Sequence, residues 1–187
     1  MHAGSAGLSL FGNVVSVLRE AGISHAVIGA TALAFHGVAR STRDLDLFAM
    51  DAVCLEPDTW RSLEASGSTV EIRPGDAADP LAGVVRFESG REAPVDLVLG
   101  NRGWQAEILT RTELQTLLGI RVPVVRAADL VLLKLYAGGL QDRWDIEQLL
   151  SAEDTSELVT EVEHSLAGLP PDCAAIWRQI RSEKQSR

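Results

Sequence analysis

The chain has 187 residues, with 17 basic and 26 acidic side chains, a formal charge of −9 and 46% apolar residues, which describes one soluble globular domain or one domain with a small helical appendage. A chain of this length buries roughly 70% of its unfolded surface without a metal or disulfide staple, and its net charge argues against non-specific duplex DNA binding or a broad basic face on anionic lipid. Cys54 and Cys173 lie 119 positions apart without metal-ligand spacing, so reduced thiols are expected; with neither a signal peptide nor a run of about 18 apolar residues, the chain reads as cytoplasmic, with no membrane partner.

Leu8, Leu10, Phe11, Val14, Val15 and Leu18 recur at three- and four-residue spacings and predict an amphipathic helix over 8–21, stopped by Gly22. The apolar run 25–29 reads as a buried strand. A glycine turn at Gly29 and a short helix over 31–36 follow, ending at Gly37. In the stretch 44–48, Asp44 and Asp46 alternate with Leu45 and Leu47, so the two acids share one face of a strand. Residues 56–66 open with Pro57 and acids and close at Gly67, as a helix does.

Three strands in a meander are expected at 69–73, 84–88 and 94–99, with a Gly- and Asp-rich loop at 74–83. Residues 104–118 read as partly helical and 120–125 as a short strand around Pro123. From Ala127 the pattern turns helical, with helices over 127–137, 142–150, 153–167 and 172–183. This succession predicts the α/β (α+β) class: a small mixed sheet with helices over residues 1–126, and a C-terminal helical portion over 127–187 packed on it.

The chemistry concentrates around the acidic pair. Carboxylates at i and i+2 on a strand lie roughly 6 to 7 Å apart at Cα, close enough to share a divalent cation and costly if buried without one. An exposed edge strand blunted by acids is the plain alternative. A third lone carboxylate, Asp96, sits in the apolar strand 94–99. Three such groups can build the all-oxygen site that magnesium prefers. Upstream, Gly29 ends a strand and opens a helix, a place where backbone N–H groups can receive phosphate; plain turn geometry also explains a glycine there.

The order of glycine turn, short helix, Arg-x-Thr-x-Asp-h-Asp-h (Arg40 to Leu47) and a later h-Asp-h strand around Asp96 resembles the nucleotidyltransferases of the DNA polymerase beta superfamily. Within it the chain is similar to AbiEii-type toxin nucleotidyltransferases and their bacterial relatives, with residues 128–137 and 141–150 resembling that group's helical Lys…Asp-x-x-Asp-Ile segment. The match spans about residues 24–150. The resemblance implies a metal-dependent nucleotidyltransferase that moves a nucleoside monophosphate from an NTP to a hydroxyl of RNA (tRNA among them), a protein or a small molecule.

Asp44 and Asp46 would then bind two Mg²⁺ (or Mn²⁺) ions carrying the triphosphate, and Asp96 would complete the second site and help deprotonate the acceptor. Gly29, Ala30 and Thr31 would hold the phosphate-facing turn, Lys134 would approach the triphosphate, and Arg40 and Arg43 would flank the site. A cognate antitoxin is the partner that the toxin branch implies. The departures are Ala30, where the turn usually carries glycine or serine, the absence of a Gly-Ser-x-x-x-Gly turn, and Gly138-Gly139 where many relatives have a basic residue. Ala30 keeps alive a second reading, a non-catalytic binding or regulatory protein on the same fold. Acids Asp76 and Asp79 in the 74–83 loop suit either a solvated loop or an acceptor cleft of an antibiotic-modifying transferase.

Other residues have structural readings. His36 is expected to be packed or hydrogen-bonded, and Trp60, Trp104, Trp144 and Trp177 to anchor core or helix interfaces. Asp142 and Asp145 suit helix capping or support of Lys134. Lys134 itself either serves the site or snorkels to solvent.

Overall fold

A computed structural model of the chain describes residues 9–76, 79–152 and 154–185; Leu8, Ala77, Ala78 and Glu153 fall outside these. The strands are β1 (His25–Val27), β2 (Leu45–Ala49), β3 (Thr69–Pro74), β4 (Leu81–Glu88), β5 (Val95–Gly100), β6 (Glu113–Leu117) and β7 (Ile120–Val124). The helices are α1 (Leu10–Glu20), α2 (Gly29–Phe35), α3 (Arg61–Ala65), α4 (Gly103–Thr110), α5 (Ala127–Ala137), α6 (Leu140–Leu149), α7 (Ser156–Ser165) and α8 (Pro171–Gln185). All seven strands join one sheet in the order β3-β4-β5-β2-β1-β7-β6. It is the mixed α/β architecture expected: β2 with β5 and β1 with β7 run parallel, and the other neighbours antiparallel.

Period-two alternation divides the sheet's central strands cleanly. Leu47 and Ala49 of β2, Val85 and Phe87 of β4, and Val95, Leu97 and Leu99 of β5 are buried and point to one side. Trp60 stacks edge-on against Phe87 at 4.7 Å and donates its indole N–H to the Cys54 carbonyl at 2.8 Å, which seals that side. The opposite side carries Asp46, Asp96 and Arg86, partly open to water. Helix α2 packs on β2 and against α5, with α6, α7 and α8 packed on α5.

Several local expectations change: β4 begins at Leu81, inside the expected 74–83 loop, and α2 begins at Gly29. Residues 104–118 are not one partly helical stretch: after α4, strand β6 folds back on β7 as a hairpin, with Leu118 (φ 51°) and Gly119 (φ 79°) both left-handed at the turn. That turn geometry matches the twist of paired strands, and the usual Asn-Gly signal is replaced by Leu-Gly. Residues 56–66 are split into a 3₁₀ turn (Pro57–Trp60) and the short α3. Helix α6 begins at Leu140, before the expected Asp142. Cys54 and Cys173 are buried free thiols, and His36 Nε2 hydrogen-bonds the Val125 carbonyl at 2.7 Å, both as expected.

Candidate active site

Parallel pairing of β2 with β5 places Asp46 opposite Asp96. Side chains opposite each other in register share a face, and like charges so placed repel. Asp44 precedes β2 by one residue, two positions from Asp46, where the Leu45 amide donates to the Pro94 carbonyl at 2.9 Å. The three expected carboxylates therefore assemble on the uncovered side of the sheet.

Their electrostatics are uneven. Among the described residues the Asp46 side chain makes no hydrogen bond or ion pair. Burial first, then the charges of Asp96 and Asp44, push its carboxyl up to about 6, against the opposing pull of Arg40 and Lys134. Asp96 is also raised, chiefly by burial, with Arg86 opposing. Arg86 carries no signal in the sequence: its Nη1 donates to both Asp96 oxygens at 2.9 and 3.2 Å, its Nη2 lies 3.6 Å from Asp44, and its Nε donates to Glu88 at 2.9 Å. Alternation in β4 put Arg86 and Glu88 on one face, yet only the register of β4 on β5 shows which acid they meet.

Gly29 borders this cluster. Its φ of +64° lies in the left-handed region, and a Cβ there would collide with the Asp46 carboxylate, so no other residue fits without displacing the acid. Ala30 is buried. No side chain caps α2, whose N-cap is Ile28, which leaves the first-turn N–H groups of Gly29, Ala30 and Thr31 for another partner.

The basic residues are placed differently from one another. Lys134 does not snorkel: it is 7% exposed, and its Nζ donates to Asp145 at 2.5 Å and Asp142 at 3.1 Å. Asp145, fully buried, also accepts from Gln141 at 3.1 Å and lies 3.5 Å from Arg40 Nε. Asp142 does both things expected of it, accepting from the Gly139 amide at 3.2 Å while holding Lys134. Arg43 is exposed, and Asp76 and Asp79 hydrogen-bond each other's backbone in an exposed loop.

Among the described residues no three carboxylate, imidazole or thiol groups converge closely enough to hold a metal as they stand. Arg86 bridges Asp96 toward Asp44 instead. Asp46 and Asp96 on adjacent strands, with Asp44 just before β2, are nonetheless oxygen donors of the kind a divalent cation takes.

Over residues 8–167 the sequence matches the family described as nucleotidyl transferase of unknown function. The chain belongs to that family. No curated protein matches it. Among solved structures, this nucleotidyl transferase is similar to the antibiotic-resistance factor ANT(2″)-Ia, at 13% identity and a TM-score of 0.50 over 95% of this chain and 92% of that one. It is also similar to the lincosamide antibiotic adenylyltransferase LnuA (12%, 0.48, 74% and 93%), and to an antigenic nucleotidyltransferase-like protein from Paracoccidioides brasiliensis (17%, 0.46, 89% and 89%). At such identities the first likeness speaks for the fold, which is the nucleotidyltransferase fold expected.

Proposed function

We propose that this nucleotidyl transferase moves a nucleoside monophosphate from an NTP to an acceptor hydroxyl and releases pyrophosphate. The observation that carries the reading is the Asp46–Asp96 juxtaposition, with an unpaired carboxyl pushed up to about 6 against the left-handed Gly29 turn. Asp44, Asp46 and Asp96 would hold two Mg²⁺ or Mn²⁺ ions, which supply charge stabilisation at the attacking and leaving oxygens.

The protein's own groups do the positioning. The uncapped first turn of α2 offers N–H donors from Gly29, Ala30 and Thr31 to the triphosphate; all three are backbone donors, so Ala30 loses none of them. The acceptor oxygen attacks the α-phosphorus as the bond to the bridging oxygen of the β-phosphate breaks, and Asp96 takes the hydroxyl proton. Arg86 favours the ionised form of Asp96, as a base requires. Lys134 and Arg40 lend positive charge beside Asp46, and Arg43, exposed on the approach, is free to meet phosphate or acceptor.

Acceptors of three kinds fit this chemistry, and the test separates them. Wild type and Asp44→Ala/Asp46→Ala are incubated with each labelled NTP, Mg²⁺ and either tRNA, cell extract or small hydroxyl compounds such as antibiotics. Label on one acceptor class from wild type alone is expected. Equal labelling by both proteins, or none in any arm, overturns the reading in favour of a non-catalytic binding protein. A toxin role with a cognate antitoxin rests on motif resemblance, and growth on expression with and without the neighbouring gene tests it.

A further inference from the structure

Next to the carboxylates a cavity of about 330 Å³ opens between the sheet and α5. Its apolar wall includes Ile28, Phe48, Val98, Leu130 and Leu133. Phe48 and Val98 follow Asp46 and Asp96 by two residues on the same strands, so they share their face and lie roughly 7 Å further along. Gly29 borders both spaces. The cavity is therefore continuous with the place where a triphosphate would sit.

One polar group on this wall is unexplained. Gln105 is 1% exposed; its Oε1 accepts from the Asn101 and Arg102 amides at 3.0 and 2.9 Å. Those two donors fix which end of the amide is oxygen. Nε2 is left buried with no hydrogen-bond partner. An orphaned buried donor is destabilising and calls for a partner. A lone water needs two to four polar neighbours, and this wall is mostly apolar. The other polar groups here are engaged: Lys134 with Asp142, and Tyr136 OH with Arg102 Nε at 2.9 Å and the Pro80 carbonyl at 3.4 Å.

We infer that this cavity receives the base of the donor nucleotide, with Gln105 Nε2 donating to a carbonyl oxygen or ring nitrogen on its edge. A flat heterocycle meets the demands of the site together, since its faces are apolar, its edge carries acceptors, and it is tethered to the triphosphate next door. The inference rests on the nucleotidyl-transfer reading and goes beyond it by naming a residue that reads the base.

Gln105→Glu keeps an oxygen for both accepted backbone hydrogen bonds and replaces the amide donor with a carboxylate, the effect of whose added charge on phosphate is read separately with tripolyphosphate. Val98→Phe fills the cavity from another wall. Affinities of wild type and both variants for the four Mg²⁺-NTPs and for Mg²⁺-tripolyphosphate are measured by calorimetry, with Trp104, stacked 5.4 Å from Tyr136, as a fluorescence reporter. The best-bound NTP is expected to lose about tenfold or more in each variant while tripolyphosphate is held equally. Unchanged NTP affinity in both variants, or equal losses for NTP and tripolyphosphate, overturns the base-reading role and leaves nucleotidyl transfer standing. Failure of wild type to bind either ligand removes both.

Discussion

Replacing Asp46 with asparagine should make the metal-free protein more stable, and the gain should depend on pH. The Asp46 carboxyl ordinarily titrates at 3.8 and is pushed up to about 6 in the fold. Between those values the native state holds a proton that the unfolded chain has released, so stability falls as pH rises through the window and is flat above it. At about 1.4 kcal/mol per pKa unit the penalty at neutral pH is roughly 3 kcal/mol. Asparagine carries no such charge. Asp46→Asn is expected to exceed wild type by about 2–3 kcal/mol at pH 7.5 in EDTA, or on the order of 5–10 °C in Tm for a chain of this size, with the two curves meeting near pH 4. Denaturant titrations across pH 4–8 measure it. Adding Mg²⁺ should raise wild type and leave the variant unmoved. Wild type equal to or more stable than Asp46→Asn at pH 7.5 in EDTA would refute the reasoning, because Asp46 would then be satisfied by its neighbours.

Lys134→Met removes the cation from a buried cluster and leaves Asp145, 0% exposed, with one fewer partner; a loss of about 3–5 kcal/mol is expected. Lys134→Met/Asp145→Asn should recover part of it in the same denaturation assay, and a single-variant cost below about 1 kcal/mol would show the pair to be dispensable. Arg86→Gln takes away the guanidinium that bridges Asp96 toward Asp44. With that cation gone, nucleotide-free Mn²⁺ binding, read by electron paramagnetic resonance, should tighten by about threefold to tenfold for a partly exposed pair; equal or weaker binding would mean that Arg86 does not compete for the carboxylates.

Period two made Asp44, Asp46 and Asp96 legible as polar positions on apolar strands, and the strand–glycine–helix succession made Gly29 stand out. Neither signal carries strand order. That Asp46 faces Asp96 depends on β2 pairing parallel to β5 across a meander, a long-range choice settled by burial of Leu47, Val85 and Leu97 on the far side. Arg86 and Gln105 are not legible because an arginine in an exposed-looking alternation and a glutamine in a helical stretch have ordinary local patterns; the register that gives Arg86 its partner Asp96 and the packing that buries Gln105 are set elsewhere in the chain. Strand β6 was hidden because Leu118-Gly119 is an unusual hairpin turn. Lys134 stands out as a lone cation in an apolar helix, but its burial against Asp145 depends on α6 folding back on α5.

The seclusion of Lys134 also decides what the molecule offers to a chemical reagent. With two lysines in the sequence and one of them sealed inside an ion-paired cluster, amine-directed coupling to a side chain is left with Lys184 in α8. Guanidinium groups, planar and inert to such reagents, supply nearly all the remaining positive charge. Tethering through Lys184 would hold the protein by its last helix without labelling Lys134 beside the carboxylates.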